Sequence, residues 1–316
     1  MMNDYLVRTW EKDDCYRTFD EGTQVVRYYI RPLGPMEKNE MSDTIYHAGA
    51  EVPYHEHSRG YETFTLAKGT AEAIVRGKKF IMEEGDMLHL PPYMSHGFKH
   101  LEEGNIWREV FQEINMVQGV TNKNIVKGSY DGLYDDPEFI KMYRAANKSI
   151  IRETPVPEEV DKSEMPEIRT PDFAYSTFRY DGVILRLKVG RWECNGVKEI
   201  WHAAMDKGYT VRYDDPHPEW ELYYITKGKV HFNILGEEFD AVPGCLVHIP
   251  PYHRHYMKAV EDGTELFDMG CPIFLLDLLE DLKAVRINAP EKYADKEFVK
   301  GLMLRFNCHA TFAGME

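Results

Sequence analysis

Residues 49–96 read GAEVPYHEHSRGYETFTLAKGTAEAIVRGKKFIMEEGDMLHLPPYMSH. Residues 208–255, which read GYTVRYDDPHPEWELYYITKGKVHFNILGEEFDAVPGCLVHIPPYHRH, repeat this pattern at a constant offset of 159. Fourteen of the 48 positions are identical without a gap, whereas average composition would give roughly three. Because an internal repeat determines architecture more firmly than local propensity does, we infer that the chain holds two copies of one module.

Each copy consists of short β-branched and aromatic runs that are separated by glycine and proline, a pattern typical of antiparallel strands. The predicted strands cover residues 62–66, 71–75 and 87–90 in the first copy, and 221–226, 230–235 and 246–249 in the second. The glycine-containing tetrapeptides at 76–79 and 235–238 are predicted hairpin turns. The sequence therefore predicts an all-β protein with two barrels and few helices.

The helical patterns lie outside the repeat. Residues 136–149 begin with a capping aspartate and a proline at the first helical position, and their apolar residues recur at helical spacing. Residues 154–166 are rich in proline and glutamate, which predicts an exposed connector. We place the domain boundary near residue 160, giving domains 1–160 and 161–316. A helix is predicted at 295–306, in a tail that is expected to pack across a barrel or a partner subunit.

Composition limits the class of protein. The chain has 316 residues and a formal net charge of −15, and we find no basic patch for nucleic acid. It lacks the run of roughly 18 apolar residues that a membrane helix needs, and its start does not resemble an export signal. The five cysteines are far apart and never form a C-x-x-C pair, which favours reduced thiols. We expect a cytoplasmic protein that binds neither nucleic acid nor membrane.

Three histidines and one glutamate form the candidate site. His55 and His57 are two residues apart, so on a strand both side chains face the same way. Glu62 can return on the next strand, and His96 follows a Pro-Pro turn. Three imidazoles and a carboxylate that converge in this way suit a divalent first-row metal ion. The alternative, that these histidines are solvated or structural, is less favoured because four such residues occur at this spacing.

These segments resemble the two signature motifs of the cupin superfamily. The first motif is Gly49-x5-His55-x-His57-x4-Glu62-x6-Gly69, and the second is Gly85-x5-Pro91-x4-His96, with Tyr93 where glycine is usual. The resemblance implies two conical antiparallel β-barrels of the double-stranded β-helix, or jelly-roll, type, with short connecting and C-terminal helices. It also implies that the matching residues bind a divalent metal, for which we expect Mn or Fe, with Zn and Ni as alternatives.

The second copy departs from the motif. At the constant offset, Asp214 and Pro216 replace His55 and His57, whereas Glu221 and His255 remain. A weaker metal site formed by Asp214, His217, Glu221 and His255 is one interpretation. We favour a second barrel that has lost its metal and keeps Glu221 and His255 as a hydrogen-bonded pair.

Strand alternation predicts the wall of the cavity. Glu51 and Pro53 lie an even number of residues from His55, so alternation places them on the cavity side with it. The same spacing from Glu62 and His96 adds Phe64, Leu66, Met94 and Phe98. A largely apolar wall suits a small, flat organic substrate that chelates the metal through oxygen atoms. We take Phe64, Met94 and Phe98 as substrate-binding candidates, together with Arg27 and Tyr29 on the entering strand. A charged rim is an equally weighted interpretation of Arg27 and Arg31.

The leading functional hypothesis is a metal-dependent hydrolase or lyase that cleaves a carbon–carbon bond of a small cyclic or 1,3-dicarbonyl substrate. In this hypothesis, Glu62 is a metal ligand or a catalytic base. The first alternative is an Fe-dependent dioxygenase that cleaves the ring of a phenol or a β-diketone. The second alternative is a non-catalytic bicupin that binds or senses a small molecule. The segments outside the repeat are available for self-association, so we expect a homo-oligomer, with a dimer as the first choice.

Overall fold

The computed structural model describes residues 6–8, 15–17, 24–30, 39–112, 136–138, 149–196, 198–213, 217, 221–269, 274–306 and 308–312. The chain divides into two units, one of residues 13–173 and the other of residues 1–12 and 174–316. Each unit contains one copy of the repeat. The division falls later than the predicted boundary near residue 160, because a strand formed by Ile168–Arg169 still pairs within the first unit.

The first strand of the chain, β1 (Leu6–Arg8), belongs to the second unit. The first unit forms two sheets, with strand orders β14-β9-β6-β11-β4-β3-β2 and β12-β5-β10-β7-β8-β13. Its described strand pairs are antiparallel except that of β13 with β8. Its strands are β2 (Cys15–Arg17), β3 (Gln24–Ile30), β4 (Asn39–Tyr46), β5 (Glu51–His57), β6 (Tyr61–Lys68), β7 (Ala71–Val75), β8 (Lys78–Met82), β9 (Met87–Leu90), β10 (His96–His100), β11 (Asn105–Gln112), β12 (Ser149–Ile151), β13 (Glu158–Glu159) and β14 (Ile168–Arg169).

The second unit also forms two sheets, with orders β1-β22-β19-β24-β17-β16-β15 and β21-β20-β23-β18-β25. The core order β22-β19-β24-β17-β16 matches β9-β6-β11-β4-β3 of the first unit, so both copies form the same antiparallel jelly-roll barrel. The strands are β15 (Thr177–Tyr180), β16 (Val183–Val189), β17 (Ile200–Met205), β18 (Thr210–Tyr213), β19 (Glu221–Lys227), β20 (Val230–Ile234), β21 (Glu237–Ala241), β22 (Leu246–Ile249), β23 (His255–Ala259), β24 (Thr264–Asp268) and β25 (Thr311–Phe312).

The hairpin turns predicted from the sequence are confirmed. Arg76 and Gly77 connect β7 to β8 with φ angles of 51° and 77°, and Leu235 and Gly236 connect β20 to β21 with 54° and 89°. Two consecutive residues with positive φ are typical of the type I′ turn, whose twist matches that of the flanking strands. The predicted strands agree with β6, β7, β9, β19, β20 and β22 to within two residues at each end.

The C-terminal tail packs on the second barrel, as expected. Its helices are α1 (Leu275–Asn288), α2 (Pro290–Tyr293) and α3 (Lys296–Arg305). Asp295 caps α3 by accepting hydrogen bonds from the backbone N–H groups of Glu297 and Phe298, at 3.0 and 3.3 Å. The buried side chains of α1 and α3 in the barrel core are Leu278, Leu282, Val299, Leu302 and Met303. The predicted helix at 295–306 is therefore confirmed.

The predicted helix at 136–149 extends too far. Pro137 and Glu138 are helical, and Asp136 accepts a hydrogen bond from the Glu138 N–H at 2.9 Å, but residues 139–148 lie outside the described part. Ser149 already belongs to β12, because it pairs with His57 of β5. The predicted connector 154–166 is mostly exposed, although β13 within it adds to the edge strand β8.

Two observations in the described residues bear on the predictions from composition. Cys194, Cys245 and Cys308 are buried and form no disulfide within the described residues, and buried thiols pack as small apolar groups. The described helices include none that is long and apolar enough to span a membrane.

Candidate metal centre

The structure brings His55, His57, Glu62 and His96 together inside the first barrel. The two strands β5 and β10 pair so that His96 lies directly opposite His55. The His57 Nε2 atom lies 3.2 Å from His55 Nε2 and 3.2 Å from Glu62 Oε1. The His96 Nε2 atom lies 3.3 Å from Glu62 Oε2. The four groups predicted from the sequence therefore offer ligand atoms to one point.

Hydrogen bonds to the backbone fix two of the imidazole rings. The Nδ1 atom of His55 lies 2.7 Å from the Pro53 carbonyl oxygen, and the Nδ1 atom of His96 lies 2.8 Å from the Met94 carbonyl oxygen. A carbonyl oxygen only accepts, so each Nδ1 carries the proton and each neutral ring keeps its Nε2 lone pair. Both lone pairs point toward the centre of the site, as metal ligation requires.

The donor set fits a divalent cation. The buried Nε2 of His96 has no hydrogen-bond partner in the described part of the chain, and the nearby carboxylate oxygen of Glu62 is also an acceptor. Two acceptors that face each other at 3.3 Å need a positive charge between them. Imidazole nitrogens with one carboxylate suit a first-row divalent metal ion.

The electrostatics favour the metal-binding protonation states of His55, His96 and Glu62. Burial by itself would lower the pKa of His57, but the Glu62 carboxylate outweighs it and raises that pKa. Burial, reinforced by the neighbouring His96, lowers the pKa of His55 to about 3. Burial also lowers the pKa of His96. Burial by itself would raise the pKa of Glu62, but the His57 and His96 imidazoles outweigh it and lower that pKa to about 2. Neutral imidazoles and an ionised carboxylate are the forms that bind metal.

Two further contacts hold the ligand segments in place. Glu56, between the two histidines of β5, accepts hydrogen bonds from Ser95 Oγ at 2.6 Å and from Arg152 Nη2 at 2.5 Å. Ser95 precedes His96, so this carboxylate connects both ligand-bearing strands. Tyr93, in the left-handed conformation with φ of 61°, donates its backbone N–H to the His57 carbonyl at 2.7 Å. Its side chain is exposed, which supports a structural role for this residue.

A β-bulge aims His55 at the metal position. His96 pairs with His55 but Phe98 pairs with Val52, so β5 contains one extra residue between these pairs. Bulges of this kind re-aim side chains and are frequent next to active sites. Gly97 permits the close approach, since a Cβ atom on this residue would lie 3.1 Å from the Tyr54 Cα and 3.1 Å from the Val52 carbonyl oxygen.

The bulge makes one prediction wrong. Simple alternation placed Glu51 and Pro53 on the cavity side, but both residues are exposed. Glu51 instead forms a surface ion pair with Lys99 at 3.1 Å. The extra residue shifts the parity of β5, so Val52 packs against the core in their place.

The predicted apolar wall is present beside the site. Phe64 and Phe98 are buried, and their ring centroids lie 5.9 and 5.5 Å from that of His96. Leu66 is buried in the same core cluster, and Met94 is partly buried against it. Arg27 and Tyr29 lie on β3, which pairs with β4, whereas Arg31 lies outside the described residues.

The sequence did not predict a polar strip in this wall, formed by Ser42, Thr44 and Glu109. The hydroxyls of Ser42 and Thr44 donate to the same carboxyl oxygen of Glu109, Oε2, at 3.3 and 3.4 Å. Burial, aided by the Glu62 carboxylate, raises the pKa of Glu109 to about 8. The signal in the sequence was the alternation of Trp107, Glu109 and Phe111, which places a carboxyl in an otherwise apolar inward row.

The second barrel places different residues at the equivalent position. Its β18 and β23 pair without a bulge, so Tyr213 lies opposite His255. Tyr252 donates its N–H to the His217 carbonyl at 2.7 Å, as Tyr93 does to that of His57. The constant offset had equated Asp214 with His55 and Pro216 with His57. Strand pairing instead makes Tyr213 the counterpart of His55, because each lies opposite the histidine of the neighbouring strand. The backbone hydrogen bond makes His217 the counterpart of His57. The two copies therefore differ in register along this strand. Asp214 and Pro216 lie outside the described residues.

His217, Glu221 and His255 cluster in this second barrel with ligand atoms within 4.8 Å of one another. Their spacing is looser than in the first barrel, since His217 Nε2 lies 4.0 Å from Glu221 Oε1. Tyr223 donates its hydroxyl to Glu221 Oε2 at 2.8 Å and is itself hydrogen-bonded to Tyr213. The Tyr213 ring stacks on His255 with centroids 4.3 Å apart. Phenol groups therefore contact this carboxylate and this imidazole. The predicted hydrogen bond between Glu221 and His255 is wrong, because His255 Nδ1 binds the His253 carbonyl oxygen and His255 Nε2 has no hydrogen-bond partner in the described residues.

We expect the Gly97→Ala variant to weaken the metal centre. The added Cβ meets backbone atoms of β5, so the strand must move and carry His55 away from His96. The expected result is a free energy of unfolding lower by about 1–3 kcal/mol and a metal affinity at least about 10-fold weaker. Denaturant unfolding and calorimetric titration of Mn²⁺ into the metal-free protein measure the two effects.

The control for this variant is Gly301→Ala in α3, where the added Cβ meets no atom within 4 Å. This change should leave metal affinity unaltered and raise stability by up to about 1 kcal/mol, because alanine favours helix more than glycine does. Unchanged metal affinity in Gly97→Ala would contradict the role of the bulge.

Comparisons with known proteins agree with this fold. The family profile described as Cupin domain matches residues 43–106, and the one described as AraC-like ligand binding domain matches residues 197–292. Similar solved structures include oxalate decarboxylase from Bacillus subtilis, with Mn(II) centres, at 15% identity and a TM-score of 0.52, covering 84% of this chain and 77% of that chain. They also include the formate complex of oxalate decarboxylase from Lactobacillus farciminis, at 16% identity and a TM-score of 0.53, covering 84% and 86%.

The comparison with curated proteins gives no match. At identities of 15 and 16%, the likeness to the solved structures shows the fold and not the activity. The two profile matches, the repeated jelly-roll barrel and the assembled ligand motif together define the class. The chain is a bicupin and belongs to the cupin superfamily.

Proposed function

We propose that the protein is a metal-dependent enzyme that cleaves a carbon–carbon bond in a small cyclic or 1,3-dicarbonyl substrate in its enolic form. The observation that carries this proposal is the convergence of three imidazoles and one carboxylate beside the buried rings of Phe64 and Phe98. The similar solved structures are decarboxylases by name, and decarboxylation breaks a carbon–carbon bond. This favours a lyase reaction over a hydrolase reaction.

In this proposal, His55, His57, Glu62 and His96 hold a divalent cation, with Mn²⁺ or Fe²⁺ as first choices. When bound, such a cation polarises a carbonyl group and stabilises enolate charge. Phe64 and Phe98 pack against the flat substrate and exclude water from it, and Met94 extends this wall. Glu62 serves as a ligand and is also placed to take up a substrate proton. We keep Arg27 and Tyr29 as substrate-binding candidates from the sequence, on the strand β3, which pairs with β4.

We propose that the second barrel works without a metal ion. The hydroxyl of Tyr223 already satisfies one oxygen of Glu221, and Tyr213 takes the position of the fourth ligand. The donors that remain are also more loosely spaced than in the first barrel, since His217 Nε2 lies 4.0 Å from Glu221 Oε1. A weaker site of His217, Glu221 and His255, completed by Asp214, is the competing proposal.

The test is turnover with and without dioxygen. Mn²⁺-loaded and Fe²⁺-loaded protein would be incubated with oxalate, β-diketones, phenols and hydroxy acids, and products would be followed by mass spectrometry. We expect cleavage products under anaerobic conditions, and their absence in the His96→Ala variant. Products that form only with matching oxygen consumption would replace the proposal with a ring-cleaving dioxygenase. Metal binding without any turnover would favour a binding or sensing protein.

A further inference from the structure

The polar strip of Ser42, Thr44 and Glu109 faces the interior of the first barrel. In the sheet, β11 lies between β4 and β6, and Glu109 pairs with Ser42 on one side and with Phe64 on the other. Residues directly opposite one another in antiparallel strands share a face of the sheet. Phe64 faces inward, because its ring lies against His96. Glu109 therefore faces the same interior.

Glu109 is also close to the metal ligands along the sheet. Its neighbour two residues on, Phe111, pairs with Glu62, so Glu109 is the diagonal neighbour of that ligand on the same face. Diagonal neighbours lie roughly 7–8 Å apart, which is within reach of a small molecule that touches both. A substrate held at the metal position would thus extend toward Glu109.

One oxygen of the Glu109 carboxyl is uncommitted. Both hydroxyl contacts from Ser42 and Thr44 go to Oε2, and Oε1 has no hydrogen-bond partner within the described residues. Ser42 and Thr44 are fully buried, with exposed fractions of 0% and 1%, whereas the exposed fraction of Glu109 is 8%. A buried carboxyl is ordinarily satisfied on both oxygens, so this arrangement positions the group through Oε2 and leaves Oε1 for a ligand.

The second barrel supports the inward orientation independently. The residue at the same register position there is Asp268, which pairs with Trp201 and Tyr223 as Glu109 pairs with Ser42 and Phe64. Asp268 lines a cavity of about 50 Å³ inside that barrel, together with Tyr213 and Tyr223. A carboxyl group at this strand position therefore borders the interior cavity of the second barrel. This supports an inward orientation of Glu109 in the first barrel.

We propose that Glu109 binds a third oxygen function of the substrate, a hydroxyl or enol group, while the opposite end of the same molecule chelates the metal. An enolic oxygen both donates and accepts hydrogen bonds, so it pairs with a carboxyl group in either charge state. The substrate class narrows from 1,3-dicarbonyl compounds to compact compounds with three oxygen functions. This inference rests on the proposed function and assigns specificity to one residue.

The experiment compares two ligands of equal chain length by calorimetry on Mn²⁺-loaded protein. Heptane-2,4-dione offers only the chelating pair, whereas heptane-2,4,6-trione adds a third, enolisable oxygen. We expect wild type to bind the trione at least about 10-fold more tightly. Glu109→Leu should bring the two affinities to within about 3-fold, and Glu109→Gln, which still forms hydrogen bonds, should keep most of the preference.

Metal content of each variant is measured first, and Glu109→Met replaces Glu109→Leu if the latter does not fold. Glu51→Gln, a change at an exposed carboxylate of β5, is the matched control and should keep the full preference. Equal affinities in wild type, or a full preference in the apolar Glu109 variant, would overturn the inference. Failure of both ligands to bind Mn²⁺-loaded wild type would instead contradict the proposed function itself.

Discussion

The His55→Ala variant is expected to purify with less than a tenth of the metal that wild type retains. The loss removes one of four donor groups that converge on one position, where His57 Nε2 lies 3.2 Å from the nitrogen that is removed. Removing a direct ligand should weaken metal affinity by more than the roughly 10- to 100-fold that is typical when a hydrogen-bond partner of a ligand is removed. Elemental analysis after dialysis against a known Mn²⁺ concentration measures the effect.

His255→Ala is the control for this loss, because His255 occupies in the second barrel the strand position that His96, another ligand, occupies in the first. Wild type is expected to bind one metal ion per chain, and His255→Ala should keep it. Two ions in wild type, with one lost in each variant, would establish the competing proposal of a second metal site. Full retention of metal in His55→Ala together with loss in His255→Ala would reverse our assignment of the active barrel.

The Arg108→Met variant is expected to lower the free energy of unfolding by about 3–5 kcal/mol, the range for breaking a buried ion pair from one side. Arg108 and Asp43 bridge β11 and β4, with Nε donating to Asp43 Oδ1 at 2.6 Å and Nη2 to Oδ2. Their side chains are 3% and 0% exposed. The substitution leaves the Asp43 carboxylate buried without its main partner. Urea unfolding of metal-loaded protein measures the loss.

Two further variants make this expectation specific. Replacing both partners, with Asp43→Leu and Arg108→Met, should restore much of the lost stability, since no uncompensated charge stays buried. Lys99→Met breaks the exposed pair with Glu51 and should cost less than about 1 kcal/mol. If Arg108→Met were no more destabilising than Lys99→Met, the buried pair would not contribute as we infer.

The elements that the sequence predicted correctly are those that local pattern determines. The type I′ hairpins at Arg76-Gly77 and Leu235-Gly236 follow from glycine placed between alternating runs, and the repeat supports each prediction twice. The four ligands could be found because their spacing survives as a motif. Asp295 as a helix cap is likewise a local signal.

The features that escaped prediction depend on contacts between distant strands. The bulge in β5 arises because Gly97 of β10 lets the two backbones approach, which neither segment shows by itself. Because of this bulge, Glu51 and Pro53 lie on the surface. Since β18 has no such bulge, the constant offset paired His55 with Asp214 although Tyr213 is its structural counterpart. Glu109 escaped notice because its role depends on the register between β11 and two other strands.

Tyr213 has a consequence for the history of the duplication. Its ring sits across the strands from His255, where the first barrel has an imidazole, and the other three donor types remain in the cluster. Tyrosine and histidine codons differ by a single base, so one nucleotide change would return an imidazole to this place. The second module is thus separated from a set of three imidazoles and one carboxylate by the smallest step that mutation can take.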